Sequence, residues 1–215
     1  SDHLDIVAMA TPISKLAFAI REANAAPASF RRAIATALSG RRGPVLVTLP
    51  MDVTTTGIRA PHIGVEGRAE PTPATETLDR VAQLLRTAVR PVLFAGSGAR
   101  WDDGPQRLRA LAEALQAPVI TTPKGKGVFP ESHPLSLGVF GHGGHPSAGD
   151  YLRGGVDVLC AIGTGLTDPA TDGWSELLVP SRHFVQIDID PMQLGRNYPV
   201  SVGVVGAAGR VLAEL

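Results

Sequence analysis

The stretch HFVQIDIDPMQLGRNYPVSVGVVGAA, residues 183–208, decides the fold. It opens as an apolar strand from Phe184 to Ile189 and passes two carboxylates, Asp188 and Asp190. It turns at Pro191 and ends in a second apolar run, Val202–Val205. A strand that stops on acidic residues at a loop is how many open α/β sheets read a nucleotide ribose or fix a turn at their ligand edge. Three runs upstream have the same character: PVLFAGSGAR from Pro91, PVITT from Pro118 and VDVLCAIGTGLTD from Val156. Strands without polar alternation are covered on both faces, which means a parallel sheet with helices above and below. The expectation is an α/β chain with a doubly wound parallel sheet of about six strands over residues 75–215. Val92, Val119, Val158, Val185 and Val204 mark its buried runs.

Helices are expected between these strands. Thr75 is a suitable N-cap before ETLDRVAQLLRTA, where Leu78, Val81, Leu84 and Leu85 share one face. Arg107–Leu115 places Leu108, Leu111 and Leu115 inward, Ser147–Leu152 is a short helix, and Arg210–Leu215 starts a closing one. A loop rich in Gly and Pro runs from Pro123 to Pro134.

Residues 1–57 read as part of a domain. Ile13–Asn24 has the spacing of a short helix. Ala28–Leu38 is a better one, with Phe30, Ile34, Ala37 and Leu38 on one side, Pro27 before it and Gly40 after it. Pro44–Leu49 then reads as a buried strand that Pro50 ends. Two helices and one strand cannot cover both faces of that strand. An unpaired apolar strand is an association hazard, and three fates are open to it: disorder, packing onto the middle domain through the linker, or pairing with the same strand of a second copy. Pairing best buries Val45, Val47 and Leu49, so a homo-oligomer is the favoured expectation. The glycines and prolines between Thr54 and Thr75 make residues 58–74 a linker.

Composition narrows the function classes. The 215 residues carry 20 Lys+Arg against 20 Asp+Glu, so the formal net charge is zero and a nucleic-acid partner is not expected. No apolar run approaches the roughly 20 residues of a membrane span, and the start lacks a basic n-region. The single Cys160 cannot form an internal disulfide, which favours a reducing, cytoplasmic compartment. Inside VDVLCAIG it reads as a buried small hydrophobe and not as a nucleophile.

Four motifs could carry chemistry. Gly96-Ser97-Gly98 follows a strand, but the third glycine of a dinucleotide fingerprint would fall at Trp101, so a tight turn is the better reading. Lys124-Gly125-Lys126-Gly127 offers amides and ammonium groups to a phosphate, yet Gly127 and Val128 follow Lys126 where a Walker A loop needs Ser or Thr; a solvated basic loop is preferred. His133, His142 and His145 lack the further ligands a zinc site needs and read as polar loop histidines. Gly163, Thr164 and Gly165 sit where such sheets bind ligands, outside the strand ends. Asp188 is the ribose candidate there, and Asp190 caps the turn before Pro191. No GxSxG elbow is present.

These runs, with RRGPVLVTLPMDV from Arg41 and TTPKGKGVFPESHP from Thr121 to Pro134, resemble the thiamine-diphosphate-dependent enzymes of the acetolactate synthase and benzoylformate decarboxylase group. The resemblance implies that residues 1–57 close a pyrimidine-binding domain and that residues 75–215 are the middle domain. It implies thiamine diphosphate and Mg²⁺ for the parent enzyme, which breaks or joins a carbon–carbon bond next to a carbonyl of a 2-oxo acid. It also implies a groove that holds FAD or ADP in some members, here lined by Gly96, Ser97, Gly163, Thr164 and Asp188. The family's activating glutamate and its GDG…Asn motif cannot be placed: Gly149-Asp150 is followed by Tyr151, and Gly206 by Ala207. The chain is therefore expected to hold no catalytic residue or metal of its own. It should need the missing pyrimidine and diphosphate domains and be inactive alone. Two readings compete. One is a stand-alone module for FAD, ADP or NAD. The other is a sirtuin-like deacylase, disfavoured because no zinc cysteine set or complete GxGxxG is present.

Overall fold

The computed structural model describes residues 4–58, 64 and 70–215. The chain divides into two compact units, Ser1–Glu70 and Pro71–Leu215. Residues 59–63 and 65–69, most of the stretch expected as a linker, lie outside the described residues.

The first unit holds helices α1 (Ile6–Ala10), α2 (Ala26–Leu38) and α3 (Met51–Thr55) and strands β1 (Leu16–Ala19) and β2 (Val45–Thr48). Here the structure corrects the sequence reading. Ile13–Asn24 is not a helix but contains β1, because LAFAI is an unbroken apolar run and not a periodic one. β1 pairs in parallel with β2, from Leu16 opposite Val45 to Ala19 opposite Thr48. The strand at Val45 therefore has a partner in its own chain. The amide of Lys15 donates to Pro44 O (2.8 Å) and that of Ile20 to Thr48 O (2.9 Å), which closes both ends of the pair. α2 carries Pro27 in its first turn and ends before Gly40, as its punctuation requires. Its face is turned, however. Ala33 is buried and Phe30, Ile34 and Leu38 are exposed. Small side chains let α2 lie close on β2, and the large ones point away.

The second unit runs through α4 (Thr75–Arg86), β3 (Pro91–Ala95), α5 (Gly104–Leu115), β4 (Val119–Thr121), β5 (Ser136–Val139), α6 (Pro146–Arg153), β6 (Val158–Ile162), α7 (Asp168–Thr171), β7 (His183–Asp188), β8 (Val202–Val205) and α8 (Ala208–Glu214). Six strands form one sheet in the order β5-β4-β3-β6-β7-β8. Every pair is parallel. The doubly wound sheet of six strands is as expected. β5 is the strand the sequence hid: SLGV is short, contains Gly138 at φ 79°, and lies half-buried at the sheet edge.

Alternate side chains of each strand go to two cores. Leu93, Cys160, Val185 and Val204 meet α4, α5 and α8 through Val81, Leu108 and Val211 on one face. Phe94, Leu159 and Phe184 meet Leu152 of α6, Leu166, Leu178 and Tyr198 on the other. All residues of β3 and β6 are buried. Each fully buried Leu, Val or Phe contributes about 1.5–3 kcal/mol, so these two layers dominate the fold's stability.

Asp157 pins the opposite, N-terminal edge. Its carboxylate accepts from the amides of Val89 and Arg90, both at 2.8 Å. Burial alone would raise its pKa, but the backbone amides of Val89, Arg90, Asp157 and Val158 together outweigh it and hold the group below the usual aspartate value.

Candidate functional site at the carboxyl edge of the sheet

An all-parallel sheet places every strand's C-terminal end on one edge. β3 is the first strand of this sheet in chain order, β4 and β5 follow on one side of it, and β6, β7 and β8 on the other. The chain order reverses between β3 and β6, so the crevice position of such sheets falls at Gly96 and Gly163.

The structure brings the five expected residues to this edge. Gly96 and Ser97 follow β3, Gly163 and Thr164 follow β6, and Asp188 ends β7. Their capacity is turned on the protein itself. The amide of Gly96 donates to Ile162 O (2.9 Å), that of Gly98 to Gly163 O (2.9 Å) and that of Gly163 to Ile187 O (2.8 Å). A Cβ on Gly96 would lie 2.5 Å from Gly163 O and 2.6 Å from Thr164 Cβ. A Cβ on Gly98 would lie 2.8 Å from Gly163 Cα, and one on Gly125 would lie 2.5 Å from Ala95 O. In a dinucleotide site the glycines make room for a pyrophosphate. Here backbone fills that room, so these residues fit a packing junction better than a phosphate cradle.

The acidic strand end behaves in the same way. Asp188 is buried, and its Oδ1 accepts from the amide of Asp190 (3.0 Å). Asp190 caps the turn at Pro191, as expected: its Oδ1 accepts from Met192 N (3.0 Å) and its Oδ2 from Gln193 Nε2 (3.2 Å). Thr164, also buried, accepts at Oγ1 from Leu166 N (3.2 Å).

The loops above the junction are equally committed. Gly125 donates its amide to Thr122 Oγ1 (2.9 Å), and Lys126 pairs with Glu131 at 3.3 Å with both side chains exposed. Arg100 Nη2 donates to Lys124 O (3.0 Å), which ties the turn after β3 to the loop after β4. The three histidines stay apart in role. His133 Nδ1 accepts from Leu135 N (3.2 Å), which leaves Nε2–H to face Glu113 Oε1 at 3.0 Å. His145 caps α6, accepting from Ser147 N (3.3 Å). His142 is exposed, and its amide donates to Pro169 O (2.8 Å). Among the described residues no three His, Cys, Asp or Glu side chains converge on a metal position. Burial pushes the Cys160 thiol up to about 12, which removes it as a nucleophile.

Sequence reading missed the polar network beneath this edge. Gln186, buried in β7, donates from Nε2 to Gln193 O (3.0 Å) and accepts at Oε1 from Gly195 N (3.0 Å). Asn197 Nδ2 donates to Gly165 O (3.0 Å) and Leu166 O (2.9 Å). It thereby holds Leu166 at φ 48°, a left-handed conformation that costs a bulky residue about 1–2 kcal/mol. The available signal was a glutamine inside the apolar strand HFVQIDI: a buried amide has to find partners.

The strand order and the glycine junction at its switch point define a doubly wound, Rossmann-like domain. Comparison with known proteins takes the identification further. The family model described as "Thiamine pyrophosphate enzyme, central domain" matches residues 78–215, and the chain belongs to this family. A probable acetolactate synthase large subunit of Methanocaldococcus jannaschii is 35% identical over 99% of this chain and 37% of its own length. The acetolactate synthase large subunit of Corynebacterium glutamicum is 36% identical over 98% of this chain and 34% of its own. Benzoylformate decarboxylase from Polynucleobacter necessarius shares the fold, with TM-score 0.73 and 24% identity over 98% of this chain and 39% of that one. The chain thus spans about a third of the length of these relatives.

Proposed function

We propose that this chain is the scaffold part of an acetolactate-synthase-like enzyme that uses thiamine diphosphate with Mg²⁺ to decarboxylate or join 2-oxo acids. The observation that carries the reading is the central-domain match over residues 78–215, borne on a six-stranded parallel sheet. Thiamine diphosphate, when bound, supplies the sink for the carbanion left by carbon–carbon cleavage. Mg²⁺ and the diphosphate are assigned to the parts of the enzyme beyond this chain, because no GDG…Asn motif can be placed in it: Gly149-Asp150 is followed by Tyr151. What this chain does is fix geometry. The junction of Gly96, Ser97, Gly163, Thr164 and Asp188 holds three adjacent strand ends together, and the loops of Lys124 and His142 are presented above it. As proposed, the enzyme is a homo-oligomer in the cytoplasm, the reducing compartment that the single Cys160 favours. No described helix is long and apolar enough to cross a membrane.

The test uses pyruvate, thiamine diphosphate and Mg²⁺. The chain alone releases no CO₂ above background, whereas a polypeptide of the relatives' length that includes it consumes pyruvate. Turnover by the chain alone overturns the assignment. Calorimetric titration with FAD, ADP and NAD checks the junction. No heat is expected with folded protein, and saturable binding abolished by Asp188→Ala restores the nucleotide groove.

A further inference from the structure

The connection from β6 to β7 gathers much of the backbone strain of the second unit. Among the described residues six non-glycine positions have positive φ, and three lie here: Leu166 at 48°, Asp172 at 54° and Trp174 at 56°. Gly173, at 73°, makes Asp172–Trp174 three left-handed residues in succession. A leucine or tryptophan in this conformation is an outlier that persists where its surroundings impose it. Packing gives little in return. Between Leu166 and Leu178 the buried side chains are the small ones of Ala170 and Thr171, and the Trp174 indole stays 50% exposed.

Hydrogen bonds hold the stretch instead. Asn197 Nδ2 donates to Gly165 O (3.0 Å) and Leu166 O (2.9 Å) at its start, and Tyr198 Oη donates to Ser175 O (3.1 Å) at its end. Two adjacent side chains thus clasp both ends. Between them the amide of His142 donates to Pro169 O (2.8 Å), and Thr171 Oγ1 accepts from Trp174 N (3.0 Å). A hydrogen bond of ordinary net worth shifts an equilibrium about fivefold, and one left-handed residue shifts it the other way by a similar factor. Forces so closely matched, with few buried apolar groups, are what a locally opening segment requires.

We infer that residues 165–176 are a strap that opens as one unit at the carboxyl edge while the sheet stays closed, with Asn197 and Tyr198 as its clasp. The root of the strap lies on the segment after β7: a Cβ on Gly165 would come 2.8 Å from Gln193 Oε1. Opening therefore uncovers Gln193 and Asn197 beside the ends of β6 and β7, at the edge where such sheets bind ligands. The strap is a gate at that edge.

Hydrogen exchange on the whole chain tests it, at the amides of Thr171, Gly173 and Ser175, which are bonded inside the strap at 3.1, 3.2 and 3.0 Å. All three exchange through one opening, with an opening constant at least about tenfold above that of the β6 and β7 amides. Tyr198→Phe keeps the ring stacked on Phe184 (centroids 5.5 Å) and removes the hydroxyl. It raises the opening constant at all three amides about fivefold and leaves the β6 and β7 amides within about twofold. Asp172→Gly relieves one left-handed residue and lowers the constant at all three about threefold. The chain carrying both changes falls between the two single variants. Strap amides that exchange no faster than those of β6 overturn the inference. So does a Tyr198→Phe effect confined to Ser175 or shared equally by the sheet, or an Asp172→Gly variant that opens as often as wild type or more often. None of these rates bears on thiamine chemistry, which the turnover test decides separately.

Discussion

Two segments of nearly the same sequence meet different fates in this molecule. PVLVT at 44–48 and PVLFA at 91–95 are both apolar runs opened by Pro-Val-Leu. The second is β3, central in a sheet of six, and all of its side chains are buried. The first supplies β2, half of a two-stranded sheet, and each of its residues is only partly buried. The sequence pattern specifies a strand in both cases, but burial comes from neighbours. β3 has β4 and β6 beside it and core layers above and below, whereas β2 has β1 beside it and only α2 and the short α1 against it. The second unit should therefore carry most of the stability, and the first should respond weakly to change.

The sharpest way to break this comparison is Gly96→Ala. The backbone there, φ −101° and ψ −174°, suits alanine, so any cost comes from contact alone. The new methyl would press on Gly163 O and Thr164, which are fixed by the sheet. A loss of about 3 kcal/mol or more is expected. Cys160 provides the readout. Its buried thiol, pushed up to about 12, reacts with a disulfide reagent only when the second unit opens, and the variant should label many times faster. Gly40→Ala is the control in the first unit: φ is 53° but nothing lies within 4 Å, so about 1 kcal/mol of local strain is the whole cost and Cys160 labelling stays unchanged. Equal labelling in the two variants would remove the distinction between the units.

A middle-sized effect comes from Asp157. Asparagine offers one acceptor oxygen to the two amides of Val89 and Arg90, so one is left unsatisfied, at about 1–3 kcal/mol. The sign of the pH dependence follows from the lowered pKa. The stabilisation is complete above the unfolded aspartate value, near 3.9, and is lost as pH falls through it towards the lower folded value. Denaturation midpoints of wild type and Asp157→Asn should differ most at neutral pH and converge below about pH 4. A constant gap down to pH 2 would mean that the carboxylate's charge is not what pins this edge.

The fold was largely legible because the second unit's strands are unbroken apolar runs, which only a sheet covered on both faces explains. β1 is misread from the sequence because a short unbroken apolar run such as LAFAI fits a strand or a buried helix turn, and only its pairing with Val45–Thr48 decides between them. β5 was hidden by Gly138 and by its place at the edge, where half-burial leaves little pattern. The candidate site residues lie at strand ends, but their roles are not legible in the sequence. Whether Gly96 makes room for a phosphate or for Gly163 depends on a contact between loops 67 residues apart (163 − 96), which no local spacing records. Gln186 and Asn197 were overlooked for a related reason: single amides acquire meaning from the carbonyls they reach.

The smallest effect expected is from removing Ser1–Glu70 altogether. The two apolar cores of the second unit draw their buried members from residues 78–212; among the described residues, none of the first unit is a member of either. Sites without shared partners contribute independently, usually within about 0.5 kcal/mol. The denaturation midpoint of Pro71–Leu215, followed by Cys160 labelling at low protein concentration, should therefore stay within that margin of the whole chain's. In the whole chain, the amides of β1 and β2 should exchange with solvent well before those of β3 and β6, since a two-stranded sheet opens locally at small cost. If truncation destabilised the second unit by about 2 kcal/mol or more, far outside additivity, the arm would be acting as part of its core. The difference between the two Pro-Val-Leu strands would then be one of degree only.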